Sequence, residues 1–75
     1  MAKLLKTLCR ELELDQEHQY YEYIIESKIN GNNSQVRELF NDMKKDNKKF
    51  FLNDHLGDSN VDNEIRKMCI EELCL

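Results

Sequence analysis

Cys9, Cys69 and Cys74, with His18 or His55, are the residues of this 75-residue chain that could hold a soft metal. Three thiolates and one imidazole make a tetrahedral zinc set. Their spacing argues against it: no two cysteines form a close CxxC pair, and Cys9 and Cys69 fall on apolar stripes, where a free cysteine acts as a small hydrophobe. The stretch "DSNVDNE" is a second candidate, because Asp58, Asn60 and Asp62 alternate as the first ligands of a calcium loop do, aiming oxygens inward at every second residue. The glycine such a loop needs is replaced by Asn63 and the acid of its twelfth position by Cys69, so helix capping by Ser59, Asn60 and Asp62 accounts for the same residues. For proton transfer there is His18 with Glu22 one turn later, a spacing that more commonly makes an exposed pair. No Gly-rich phosphate loop or nucleophile elbow accompanies it. The chain reads as a non-enzyme, with no catalytic residue, no metal site and no cofactor.

Binding residues are easier to find. "YYEYII" places Tyr20 and Tyr23 roughly on one side of a helix and Tyr21 on another, so at least one tyrosine should show at the surface, where a large ring with a polar tip suits an interface. Together with Asp58 and Asp62 of the acidic C-terminal third, Tyr20, Tyr21 and Tyr23 are the candidate partner-binding residues. The alternative lies in "SKINGNNSQVRELF". Ser27 stands four positions before Gly31, as the small residue of a DNA-reading helix-turn-helix does, and Gln35, Arg37, Lys44 and Lys45 would then be the nucleic-acid-binding residues. Arg37 occupies a position that motif buries, and Glu38 and Asp42 would face phosphates. An antiparallel helical hairpin with a polar tip is the simpler account.

Charge points the same way. Eleven Lys and Arg against 15 Asp and Glu leave a net charge of -4, which argues against nucleic acid as the partner. Lys44, Lys45, Lys48 and Lys49 cluster, whereas residues 51–75 hold six acids and only Arg66 and Lys67 as cations. With 40% hydrophobic and 35% charged residues, the composition is that of a folded domain rather than a disordered tail. Lys6 and Arg10 interrupt the opening apolar run before it reaches the length of a leader, and no stretch approaches the ~18 apolar residues of a membrane span. An odd cysteine count adds to the expectation of a cytoplasmic protein with no membrane contact.

The elements that must position these residues are helices. There is no proline, and no stretch alternates apolar and polar residues long enough to read as a strand. Leu4, Leu5, Leu8, Cys9 and Leu12 predict a first amphipathic helix over residues 2–13. Asp15 is the expected N-cap of a second, which ends at Asn30 and Gly31. Asn33 or Ser34 caps a third, whose Val36, Leu39, Phe40 and Met43 fall at i, i+3, i+4 and i+7. Asp46 starts a fourth, with Phe50, Phe51, Leu52 and Leu56 as an apolar lid and Gly57 as its stop. Ser59 or Asn60 opens a fifth that turns Val61, Ile65, Met68, Cys69 and Leu73 inward. Residues 1–75 thus form one all-α domain, a compact bundle of four to five short helices.

The run "YYEYIIESKINGNNSQVRELFNDM" followed by "DNKKFFL", residues 20–52, resembles small uncharacterised helical proteins of bacteriophage and prophage type. That resemblance implies context rather than a site: compact acidic phage proteins often bind and block a host protein, such as a defence nuclease. The expected function is a small protein-binding module, an inhibitor in that context, with a second copy of the chain as a further candidate partner. The alternative is a DNA-binding regulator that uses residues 33–45.

Overall fold

In the computed structural model, which describes residues 2–74, every element is helical apart from one isolated bridge, Lys3 to Met43. The elements are α1 (Leu5–Glu11), α2 (His18–Ile29), α3 (Asn33–Asp42), α4 (Lys45–Phe50), which runs on into a π-helical turn (Phe51–His55), and α5 (Asn60–Cys74). The side chain of Cys74, among the zinc candidates above, lies outside the described part. The radius of gyration is 11.3 Å, against about 11 Å for a well-packed chain of this length. An all-α bundle of five short helices is therefore what the periodicity builds. No helix among the described residues is long and apolar enough to cross a membrane.

α2 is the central element and packs against α1, α3 and α5. Tyr20, Ile24 and Ser27 lie at i, i+4 and i+7, and with Tyr21 they form its buried side. Tyr20 has no exposed surface, and its hydroxyl donates to the Leu39 carbonyl at 2.6 Å. That carbonyl belongs to the last turn of α3, where the Met43 amide has turned to Phe40 instead, so the phenol satisfies a helix-end acceptor. The stripe expected in the third helix is buried throughout: Val36, Leu39, Phe40 and Met43 all join the core. Met43 does so from just beyond the helix, where the chain is extended and the Lys3 amide donates to the Asp42 carbonyl at 2.7 Å.

Two helices end in the same way. After α2, the Asn32 amide bonds the Ser27 carbonyl at 2.8 Å and the Gly31 amide bonds the Lys28 carbonyl at 3.0 Å, a closure that requires a left-handed residue. Gly31 supplies it at φ 77°. After α1, Leu14 bonds the Cys9 carbonyl at 2.8 Å and Glu13 bonds Arg10 at 3.2 Å, and the left-handed residue is Glu13 at φ 60°. A glutamate in that conformation costs roughly 1 kcal/mol that glycine avoids. The closure ends the helix expected over residues 2–13 at Glu11, and the extended Lys3–Leu4 entry delays its start to Leu5, with Leu4 59% exposed.

Several caps differ from expectation. Asp15 does not cap α2. The Gln19 side chain reaches back instead, and its Oε1 accepts from the Asp15 and Gln16 amides at 2.8 and 3.1 Å. Asn32, not Asn33 or Ser34, holds the N-cap position of α3, and its amide goes to the Gln35 side chain at 2.6 Å. Asp46 lies within the first turn of α4, where its charge still favours the helix dipole. Ser59 caps α5 as expected, its hydroxyl accepting from the Asp62 amide at 3.1 Å. Gly57 does not close α4 by a left-handed turn. The chain leaves the π turn through an extended Leu56, and Gly57 donates to the Asp62 carboxylate at 3.0 Å.

Arg66 fastens α5 to that exit. Its guanidinium donates to the carbonyls of Leu52, Leu56 and Gly57 at 3.4, 3.3 and 3.1 Å and to Asn63 Oδ1 at 2.7 Å. Three carbonyls at a helix C-terminus thus meet one planar cation. Leu73, expected inside, is 53% exposed at the far end of α5, beyond the reach of the core.

Candidate functional site

Side chains of α1, α2 and α4 surround an open cleft of about 490 Å³. Its floor is Leu5 of α1 and Tyr21 of α2, both almost fully buried. Its wall is Phe50 of α4, which is 47% exposed. Glu17, His18, Asp46 and Asn47 complete the rim. The sequence explains the geometry: Phe50 and Phe51 are neighbours on a helix and so diverge by about 100°, which lets only one of them face the core. Phe51 takes the inside with no exposed surface, and Phe50 is left on the outside, contrary to the lid expected of the whole segment.

Phe50 is not loosely placed. Its ring lies 5.5 Å from Tyr21, which lies 5.5 Å from Phe51 and 5.0 Å from His55, and Phe51 lies 6.3 Å from the buried Phe40. These separations suit aromatic pairs, so a continuous stack joins the surface ring to the core. Asn47 ties α4 to α2 by donating to the Tyr21 hydroxyl at 3.3 Å. Burial raises the Tyr21 phenol above its ordinary value, with the Asn47 hydrogen bond acting in the opposite direction. The phenol stays protonated at neutral pH and offers the cleft no charge.

The partner-binding residues expected from sequence fare differently. Tyr20 is wholly interior and cannot touch a partner; burial first, then the nearby Asp42, drives its phenol pKa far up. Tyr21 reaches the cleft only as part of its floor, because both rings sit on the inward side of the central helix. Tyr23 is half-buried, and its hydroxyl accepts from the Gln35 amide at 3.0 Å. Asp62 uses its carboxylate on Gly57, while the neighbouring Asp58 is exposed and its backbone carbonyl accepts from Asn63 at 3.3 Å. The acidic pair therefore belongs to the α5 entry and lines neither cleft. In the alternative set, Gln35 is held between Tyr23 and Asn32, and Arg37 pairs with Glu72 of α5 at 3.6 Å. Lys44 and Lys45 are exposed at the break between α3 and α4.

The chemistry candidates also resolve. Cys9 and Cys69 are buried, free thiols in the core. Cys9 donates to the Gln16 carbonyl at 3.6 Å, and burial raises its pKa. Burial, helped by Glu72, pushes the Cys69 thiol up to about 12, so neither is a thiolate near neutral pH. Among the described residues no three His, Cys, Asp or Glu side chains gather as metal ligands, and no buried side-chain nitrogen or oxygen lacks a hydrogen-bond partner. A second cleft, also of about 490 Å³, is lined by Lys6, Cys9, Arg10, Asp15 and Glu17 among others, so its two cations and two carboxylates offset each other.

Sequence reasoning did not separate Phe50 from Phe51 and missed Glu17, Asp46 and Asn47 as neighbours of the exposed ring. The doublet of phenylalanines was the available signal, since two adjacent rings on a short helix cannot share one face. Compared with protein-family models, curated proteins and solved structures, the chain matches none.

Proposed function

We propose that the chain is a small protein-binding module and that the cleft between α1, α2 and α4 is its contact point. The observation that carries this reading is Phe50, a large aromatic side chain left half exposed in a chain whose other two phenylalanines are fully buried. An aromatic ring held by a stack loses little entropy when a partner covers it, which is the usual make-up of an interface anchor. In the phage-type context the module acts as an inhibitor: a compact body held on a host protein such as a defence nuclease blocks it by occupying its surface. The DNA-binding alternative has less support, because Gln35 and Arg37 already have partners within the fold.

The test is retention from a host lysate at two salt concentrations, with the wild-type chain and Phe50→Ser as baits. A single host protein held at defined stoichiometry by the wild type and lost by Phe50→Ser is the expected result. Salt-sensitive retention of DNA that Phe50→Ser leaves unchanged would overturn the reading.

A further inference from the structure

We propose that the occupant of the cleft is a partner segment bearing one large apolar side chain flanked by Lys or Arg, an inference that rests on the cleft being the binding face. The apolar part follows from the floor and wall, where Leu5, Tyr21 and Phe50 present hydrocarbon in a space with room for a large side chain. The basic part follows from the rim. Glu17 and Asp46 are both exposed there beside His18, and no Lys or Arg is among the lining residues; Glu17 also borders the neighbouring cleft with Lys6 and Arg10, so Asp46 is the carboxylate this cleft does not share.

The lysine-rich α4 does not cancel this charge. With about 100° per residue, the face of α4 that carries Asp46, Asn47 and Phe50 turns Lys49 roughly 105° away and Lys45 roughly 145° away. Lys48 is engaged elsewhere, with its ammonium 5.4 Å from the Phe40 ring centre. The helix is therefore two-sided, acidic and aromatic toward the cleft and basic elsewhere. A cation beside the apolar anchor meets two carboxylates at the rim, while an acidic flank meets repulsion. Two exposed pairs of this kind are worth about tenfold in affinity at low salt and less as salt screens them.

The probes are three capped peptides sharing an Ala-Leu-Phe-Ala core, flanked on both sides by two lysines, two glutamines or two glutamates. They are titrated into the uniformly 15N-labelled full chain at low and at physiological salt. Amide shifts centred on Leu5, Tyr21, Asn47 and Phe50 are expected, with the lysine peptide binding about tenfold tighter than the glutamate peptide at low salt. The double variant E17Q/D46N, altered only at exposed positions, should bind all three peptides alike, and F50S should bind none. Equal binding of all three by the wild type overturns the basic partner and leaves the apolar cleft standing. No shift at these amides with any peptide at millimolar concentration overturns both. Concentration-dependent shifts at the same amides without peptide assign the cleft to a second copy of the chain, which also overturns the proposal.

Discussion

Replacing Arg66 with methionine should remove about 2 kcal/mol of stability while keeping the apolar stem of the side chain. The estimate comes from its four acceptors. Three are carbonyls at 3.1 to 3.4 Å, long and partly solvated, and each such bond is worth about 0.5 kcal/mol; the 2.7 Å bond to Asn63 is shorter but exposed and adds about as much. A core of this size supplies only about 3 to 5 kcal/mol in total, so the loss is close to half. In urea the unfolding midpoint should fall by about 1 to 2 M, and the melting temperature by about 8 to 16 °C. Arg66→Lys should recover little, because an ammonium is a point charge that cannot span carbonyls of Leu52, Leu56 and Gly57 together. Hydrogen exchange gives the local readout: the Leu56 amide, which bonds the Phe51 carbonyl at 3.0 Å to close the π turn, should exchange faster in Arg66→Met relative to amides of α3. An unfolding free energy within about 0.3 kcal/mol of wild type for Arg66→Met, or full stability in Arg66→Lys, would refute the clamp.

Other perturbations test other parts of the fold. Glu13→Gly should stabilise by about 0.5 to 1 kcal/mol in urea unfolding, since φ 60° suits glycine, whereas Gly31→Ala should destabilise by about 1 kcal/mol although a Cβ there meets nothing within 4 Å. Tyr20→Phe leaves the Leu39 carbonyl without its 2.6 Å donor and should cost about 1 to 2 kcal/mol by the same assay. Stability should fall at alkaline pH: Cys69 ionises near 9 when unfolded but near about 12 when folded, so above pH 9 the unfolded state releases the proton first and stability declines as pH rises toward 12. The slope from this group approaches about 1.4 kcal/mol per pH unit, and Cys69→Ala should remove its share, leaving that of the tyrosines.

Legibility in the sequence followed the strength of local physics. The α3 stripe and the Gly31 closure could be read because a buried helix face and a left-handed turn each demand a residue pattern that little else produces. Glu13 hid the same closure after α1, since nothing about glutamate announces a positive φ, and the predicted helix ran too long. Asp15 looked like a cap because its side chain suits one; the competitor was Gln19, whose longer side chain reaches two amides at once. The tyrosines misled for a related reason. A phenol can be fully interior when a helix-end carbonyl awaits it, and that carbonyl comes from Leu39, 19 residues away from Tyr20. The cleft was the least legible part, because its floor, wall and rim come from α1, α2 and α4 and only packing joins them.

The backbone tie from Lys3 to Asp42 sets an order of assembly. α2 and α3 meet across a short turn, a contact of low loop-closure cost that should form within microseconds. α1 meets its sequence neighbour α2 across residues 12–17, but the bond at its start closes a loop of some 40 residues, so that tie costs more chain entropy than either local contact. Leu5, which forms the floor of the cleft, lies two residues from that tie, so the floor is complete only when the long loop has closed. A chain in which only the α2–α3 hairpin had formed would lack the floor and wall that α1 and α4 supply, so the proposed contact point exists only in the finished fold.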